Sequence, residues 1–166
     1  MAHVHSMPVF EKNNLRKDHH RFMELALVEA EKAFAADEVP VGAVLTDCDG
    51  NVLSAACNQT ISRHDPTAHA EISALRDAGQ KIRNYRFVNT TLYVTVEPCI
   101  MCMGAIIHSR VEHVVFGASD PKWGAAGSLY EFHTDLRLNH QPRVTGGIYQ
   151  ERCRQLMVDF FKKKRL

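Results

Sequence analysis

The segment Thr91–Val96, TLYVTV, runs directly into Glu97-Pro98-Cys99-Ile100-Met101-Cys102. Its β-branched and aromatic residues suit a strand, and its nearly unbroken apolar character suits one buried on both faces. Pro98 fits the start of a helix. A strand buried on both faces needs cover on both sides, which restricts the chain to a sheet flanked by helices.

The rest of the chain supplies those layers. From Asp18 to Asp37, Phe22, Leu25, Ala26, Leu27, Ala30, Ala33 and Phe34 recur at helical spacing, with Asp18 placed to cap the start and Pro40 just past the end. Val41–Leu45 and Val52–Cys57 read as strands joined by a turn at Asp49-Gly50. Pro66 is expected to open a helix that reaches about Ala78 and stops at Gly79. A further helix is expected from near Pro98 to Ser109, and a strand over Val111–Gly117. Residues 118–140 read as a long surface loop with one helical turn, the kind of loop that often carries function. A short strand, Arg143–Thr145, precedes a last helix with Tyr149, Cys153, Leu156, Met157, Phe160 and Phe161 on one face. This order predicts one α/β domain with a mixed sheet, spanning 18–166 behind an N-terminal tail of residues 1–17.

Composition excludes several classes. At 166 residues, with 45% hydrophobic and 23% charged residues, the chain matches neither a disordered protein nor a disulfide-dense module. No apolar run approaches the roughly 20 residues that span a bilayer. The net charge is +1, and removing the four cations of Lys162–Arg165 leaves −3. Contact with nucleic acid therefore depends on local patches. The five cysteines, Cys48, Cys57, Cys99, Cys102 and Cys153, are odd in number, and Met1–Phe10 lacks a long apolar stretch, so a reducing cytoplasmic setting is expected. In that setting the sequons at Asn58 and Asn89 are chance matches, and His3 and His5 carry no weight.

Chemistry concentrates in His69-Ala70-Glu71 and in Cys99 and Cys102. Cysteines three apart lie one turn along a helix face and can share a tetrahedral ion, although a redox dithiol has the same spacing. His69 supplies a third ligand. Both His69 and Cys99 follow a proline at an expected helix start, so two helix N-termini converge on one metal, and their dipoles favour thiolates. Three ligands leave a fourth position open, which is the catalytic pattern, and zinc there acidifies a bound water. Glu71 is left over as a proton carrier; taken alone it would read as a first-turn carboxylate.

The combination H-x-E with P-C-x-x-C resembles the zinc nucleoside and nucleobase deaminases. Further segments are similar to the bacterial tRNA adenosine deaminases: EVPVGAV at 38–44, RHDPTAHAE at 63–71, GAIIHSR at 104–110, VVFGA at 114–118, GAAGSL at 124–129 and DFF at 159–161. The likeness covers about Asp18 to Arg165. It implies a cytidine deaminase-like three-layer α/β/α sandwich, a homodimer, one zinc per chain and hydrolysis of adenosine to inosine at the wobble position of a tRNA anticodon. Carried over, it makes His69, Cys99 and Cys102 the zinc ligands and Glu71 the proton shuttle for a zinc-activated water. Asn58 matches a contact to the target nucleoside, and Asp120 sits where the family's loop approaches the neighbouring nucleotide. Departures fall on the turn Cys48–Asn51, on Trp123 and on Asp135–Arg137. Two other readings are a free guanine or cytosine deaminase and a non-catalytic zinc-stabilised RNA-binding module. Met101, Met103, Ile106 and Ile107 are either intrachain core or part of a dimer face, and Lys162–Arg165 either holds RNA or ends a solvated helix.

Overall fold

Alternation along three strands divides the hydrophobic core between the two faces of one sheet. The computed structural model describes residues 9–165, with side chains from residue 19 onward. Its elements are α1 (Val9–Ala35), β1 (Gly42–Thr46), β2 (Val52–Cys57), α2 (Ala70–Ile82), β3 (Thr91–Val96), α3 (Ile100–His108), β4 (His113–Ala118), a 3₁₀ turn at Phe132–Thr134, β5 (Arg143–Thr145) and α4 (Gln150–Lys164). The sheet order is β2-β1-β3-β4-β5, antiparallel through β1 and parallel from β3 to β5. Ala43, Leu45, Leu92, Val94, Val114 and Phe116 face the α2–α3 side, while Val44, Tyr93 and Val115 face α1 and α4. This is the period of two that a strand imposes, and it makes the α/β/α sandwich.

Close approach fixes α1 on β1. A Cβ at Gly42 would collide with the Ala26 carbonyl, so only glycine lets the helix settle there. The turn between β1 and β2 closes on Asp47, whose Oδ1 accepts N–H bonds from Asp49 and Asn51 at 2.9 and 2.8 Å, and Gly50 takes φ +81°.

Three helix boundaries differ from the sequence expectation. The first helix starts at Val9, so Asp18 is an interior position and not its cap. Helix-favouring Glu, Lys, Leu and Arg at 11–17 extend it without apolar periodicity. The readings for residues 1–8 lie outside the described residues. The second helix starts at Ala70, four residues after Pro66, and runs through Gly79 to Ile82. The third starts at Ile100. On α4, Cys153 and Phe160 are buried, but Phe161 is on the exposed side with its ring edge-on to Phe160. No helix among the described residues is long and apolar enough to cross a membrane.

Candidate active site

The site lies at the carboxyl end of β3, where open α/β sheets place their ligands. Local hydrogen bonding explains why α2 begins late and why His69 points away from it. Asp65 Oδ1 accepts from the Thr67 N–H and hydroxyl at 2.8 and 2.7 Å, which holds a turn after Pro66. Asn58 Oδ1, from the segment after β2, accepts the Ala70 N–H at 2.8 Å and caps the helix from outside. His69 is left at the N-cap with extended backbone and no capping bond from its side chain. Cys99 is the N-cap of α3 in the same condition. Two helix starts thus release a histidine and a cysteine toward one point, and α3 adds Cys102 one turn along.

The three ligand atoms lie within 4.8 Å of one another, with Nδ1 of His69 3.7 Å from Cys99 Sγ and 3.6 Å from Cys102 Sγ. A tetrahedral zinc with ordinary Zn–S and Zn–N bonds requires an N···S edge of about 3.6 Å, so both edges to His69 match the ion. Both cysteines are free thiols, which removes a Cys99–Cys102 bridge, and among the described residues no fourth metal-ligating side chain joins the group. A hydrogen bond from Cys102, reinforced by His69, lowers the Cys99 thiol to about 4. Cys102 is raised by its bond to Cys99 and then by burial. His69 is raised by its bond to Cys99. The group is built to hold one zinc ion.

Glu71 is 3% exposed and stands outside the ligand group, and burial pushes its carboxyl up to about 7. It lines a cavity of about 620 Å³ together with His69, Cys99, Asn58 and Asp120. Asn58, 6% exposed, spends its oxygen on the helix cap, and its Nδ2 remains for the cavity. Asp120 is half-buried, with Oδ1 accepting the N–H groups of Lys122 and Trp123 at 2.9 and 3.2 Å. Five of the six sequence-predicted site residues therefore border one space, and the sixth, Cys102, is buried behind it in the ligand group.

Sequence reasoning missed the two glutamates that shape its walls. Glu97, 3% exposed, accepts from the N–H groups of Asp120, Ala126 and Ser128 at 3.0, 3.0 and 2.9 Å, and from the Ser128 hydroxyl. It fastens the loop after β4 to the segment that joins β3 to Cys99. A Cβ at Gly124 would strike its carboxyl group. Glu38, 1% exposed, does the same for residues 60–62 by accepting the Ile61 and Ser62 N–H groups at 3.1 and 2.7 Å. Burial opposes ionisation of Glu38, but those donors outweigh it and hold the carboxyl below its ordinary range. The only sequence signal was a carboxylate abutting an apolar strand or a proline.

The family model for the cytidine and deoxycytidylate deaminase zinc-binding region matches residues 16–118, a span containing Glu71 and all three ligands, and the chain belongs to that family. Its relatives then narrow the likeness. The tRNA-specific adenosine deaminase of Haemophilus influenzae is 52% identical over 145 residues, 87% of this chain and 84% of that protein. The enzyme of the same name from Agrobacterium fabrum is 43% identical over 87% of this chain and 95% of its own. A solved structure from a study of A-to-I editing by tRNA:A34 deaminases superposes with a TM-score of 0.79 at 43% identity, covering 82% of this chain and 98% of that one. A guanine deaminase from Bacillus subtilis superposes with a TM-score of 0.59 at 34% identity, covering 66% of this chain and 70% of that one.

Proposed function

We propose that this protein hydrolyses adenosine to inosine at the wobble position of a tRNA anticodon, with water consumed and ammonia released. The observation that carries the chemistry is a buried, unligated Glu71 beside a three-ligand metal group, on the wall of a cavity of about 620 Å³. The identity to tRNA-specific adenosine deaminases carries the substrate.

When bound by His69, Cys99 and Cys102, zinc supplies the Lewis acidity that makes a water nucleophilic at neutral pH. Glu71 takes a proton from the attacking water and delivers it to N1 of adenine as C6 is attacked. It then carries a second proton to the leaving amino group. A carboxyl group poised near neutrality suits both directions of transfer. Asn58, its oxygen fixed by the Ala70 N–H, turns its amide donors to the nucleoside. Asp120 holds its loop beside the neighbouring nucleotide through the turn that it caps. An anticodon loop suits a site of this kind, because its bases splay out without the breaking of a duplex.

The protein is further proposed to work in the cytoplasm as a homodimer. Met103, Ile106 and Ile107 are buried within the chain and do not supply the dimer face. Lys163 and Lys164 pair with Asp37 at 3.5 and 2.6 Å, which favours a role for the basic C-terminal run in closing the fold.

The likeness to a guanine deaminase favours one alternative, a free-base enzyme. The test offers purified zinc-loaded protein guanine, cytosine, cytidine and an anticodon stem-loop with adenosine at the wobble position. Inosine in the stem-loop, with no ammonia from the free bases, is expected. Ammonia from guanine and unaltered RNA reverses the assignment, and RNA binding without any turnover leaves a zinc-stabilised binding module.

A further inference from the structure

Trp123 is the one tryptophan in the chain, and it is 64% exposed. Exposure of a large indole costs hydrophobic free energy, and tryptophans left at a surface concentrate where something is bound. Its position is specific: it stands on the wall of the cavity that holds Glu71 and Cys99. Its backbone is pinned, since the Trp123 N–H donates to Asp120 Oδ1 at 3.2 Å and the adjacent Gly124 bridges to Cys99. The backbone that carries the indole is therefore tied to the segment holding Cys99, while the ring itself stays exposed. Elsewhere on the surface, exposed aromatics are partnered: Tyr130 stacks on Phe132 with centroids 5.5 Å apart, and Arg86 lies over Tyr85. Among the described residues no ring or cation packs on Trp123. Its chain neighbour Lys122 is exposed and has no carboxylate partner among the described residues, so the same loop offers a cation one position before the ring.

An open aromatic face beside an unpaired cation, at the mouth of a site that acts on one base, is the arrangement that binds a single strand: the ring stacks a base and the cation meets the phosphate. We infer that Trp123 is the stacking platform for the base of a nucleotide flanking the target adenosine, with Lys122 on the intervening backbone. This inference rests on the reading of the substrate as RNA. Trp123 acts on binding and touches no reacting atom, so its effect belongs in KM and not in kcat.

The single tryptophan provides its own reporter. Zinc-loaded Glu71→Gln protein, which binds without turnover, is titrated with the anticodon stem-loop while tryptophan emission and RNA anisotropy are followed. Emission falls on binding, and an abasic site at one of the two flanking positions removes the fall while anisotropy still reports a complex. In otherwise wild-type protein, Trp123→Ala raises KM for the stem-loop roughly tenfold to a hundredfold, the range of alanine replacements in base–aromatic stacks, with kcat within about twofold. Trp123→Phe recovers most of the affinity. Unchanged emission at saturation, or an unchanged KM in Trp123→Ala, overturns the inference. Failure of the substrate reading appears separately, as wild-type protein that makes no inosine in the same stem-loop.

Discussion

Two polar clusters sit near opposite ends of β3, and they differ in how their groups are satisfied. At the amino end, His113 Nε2 lies 2.9 Å from the Thr145 hydroxyl, and His19 Nδ1 lies 3.0 Å from the Tyr93 hydroxyl. The rings of His19 and His113 meet edge to face at 5.3 Å. Those groups close on each other, as buried polar groups in a core do. At the carboxyl end, His69 and Cys99 stand at N-caps without capping bonds, and Glu71 is buried beside them. Within that same end, Glu97 is as buried as Glu71 but is saturated by the N–H groups of a loop. Burial alone therefore assigns no role to a carboxylate: Glu97 is committed to a loop, whereas Glu71 has no such loop to hold and is the one proposed to carry protons.

The sharpest test exchanges one carboxylate for its amide at each glutamate. Glu71→Gln keeps the shape and loses the proton carrier, so kcat for inosine formation falls by about 10²–10⁴ while zinc content and thermal stability hold. Near-normal kcat with zinc bound would erase the distinction between the two carboxylates. Glu97→Gln reverses the pattern. One amide oxygen still accepts, but the amide nitrogen now faces N–H groups, and the charge is gone. A loss of about 2–4 kcal/mol of folding stability by urea titration is expected, with a smaller fall in kcat than in Glu71→Gln.

The amino-end cluster predicts a pH effect of smaller size. Burial, with Arg143 and His19 adding to it, lowers His113 from the ordinary 6.5 to about 4. The unfolded chain therefore takes up this proton before the folded one does. Its contribution is intact above about pH 6.5 and is lost as the pH falls toward 4. His113→Gln keeps a partner for Thr145 and does not titrate. Wild type should lose about 2 kcal/mol more than this variant between pH 7 and pH 4, allowing for a partly solvated ring. If the stabilities of the two proteins instead fall by the same amount between pH 7 and pH 4, His113 makes no such contribution.

The contrast also explains what could be read without coordinates. His69, Glu71, Cys99 and Cys102 were legible because each half of the constellation is short-range: two apart in one segment, three apart in the other. The strand Thr91–Val96 was legible from its β-branched and nearly unbroken apolar run, and a core on both faces of the sheet follows from that burial. Glu97 and Glu38 were not legible, because most of their partners are backbone N–H groups 23 to 31 residues away, which carry no side-chain signature. The start of α2 was misplaced because Pro66 suits a turn as well as a helix, and the cap that decides between them comes from Asn58, 12 residues upstream. Asn58 and Asp120 entered only through resemblance.

Asn58 carries the smallest effect on stability and the finest test. Its oxygen serves the fold by capping Ala70, while its nitrogen is read here as serving the substrate. Two substitutions separate these duties. Asn58→Ala removes both, so it should cost about 1 kcal/mol of stability, the ordinary value of a lost cap, and raise KM for the stem-loop. Asn58→Asp keeps an oxygen at the cap and places negative charge at a helix N-terminus, where it is favoured. Its stability in metal-loaded protein should match wild type, yet it has no donor for the nucleoside, so KM should rise as in Asn58→Ala. If Asn58→Asp binds the stem-loop as wild type does, Asn58 belongs with Glu97 among the residues that only build the wall, and the carboxyl end of β3 offers the nucleoside one donor fewer.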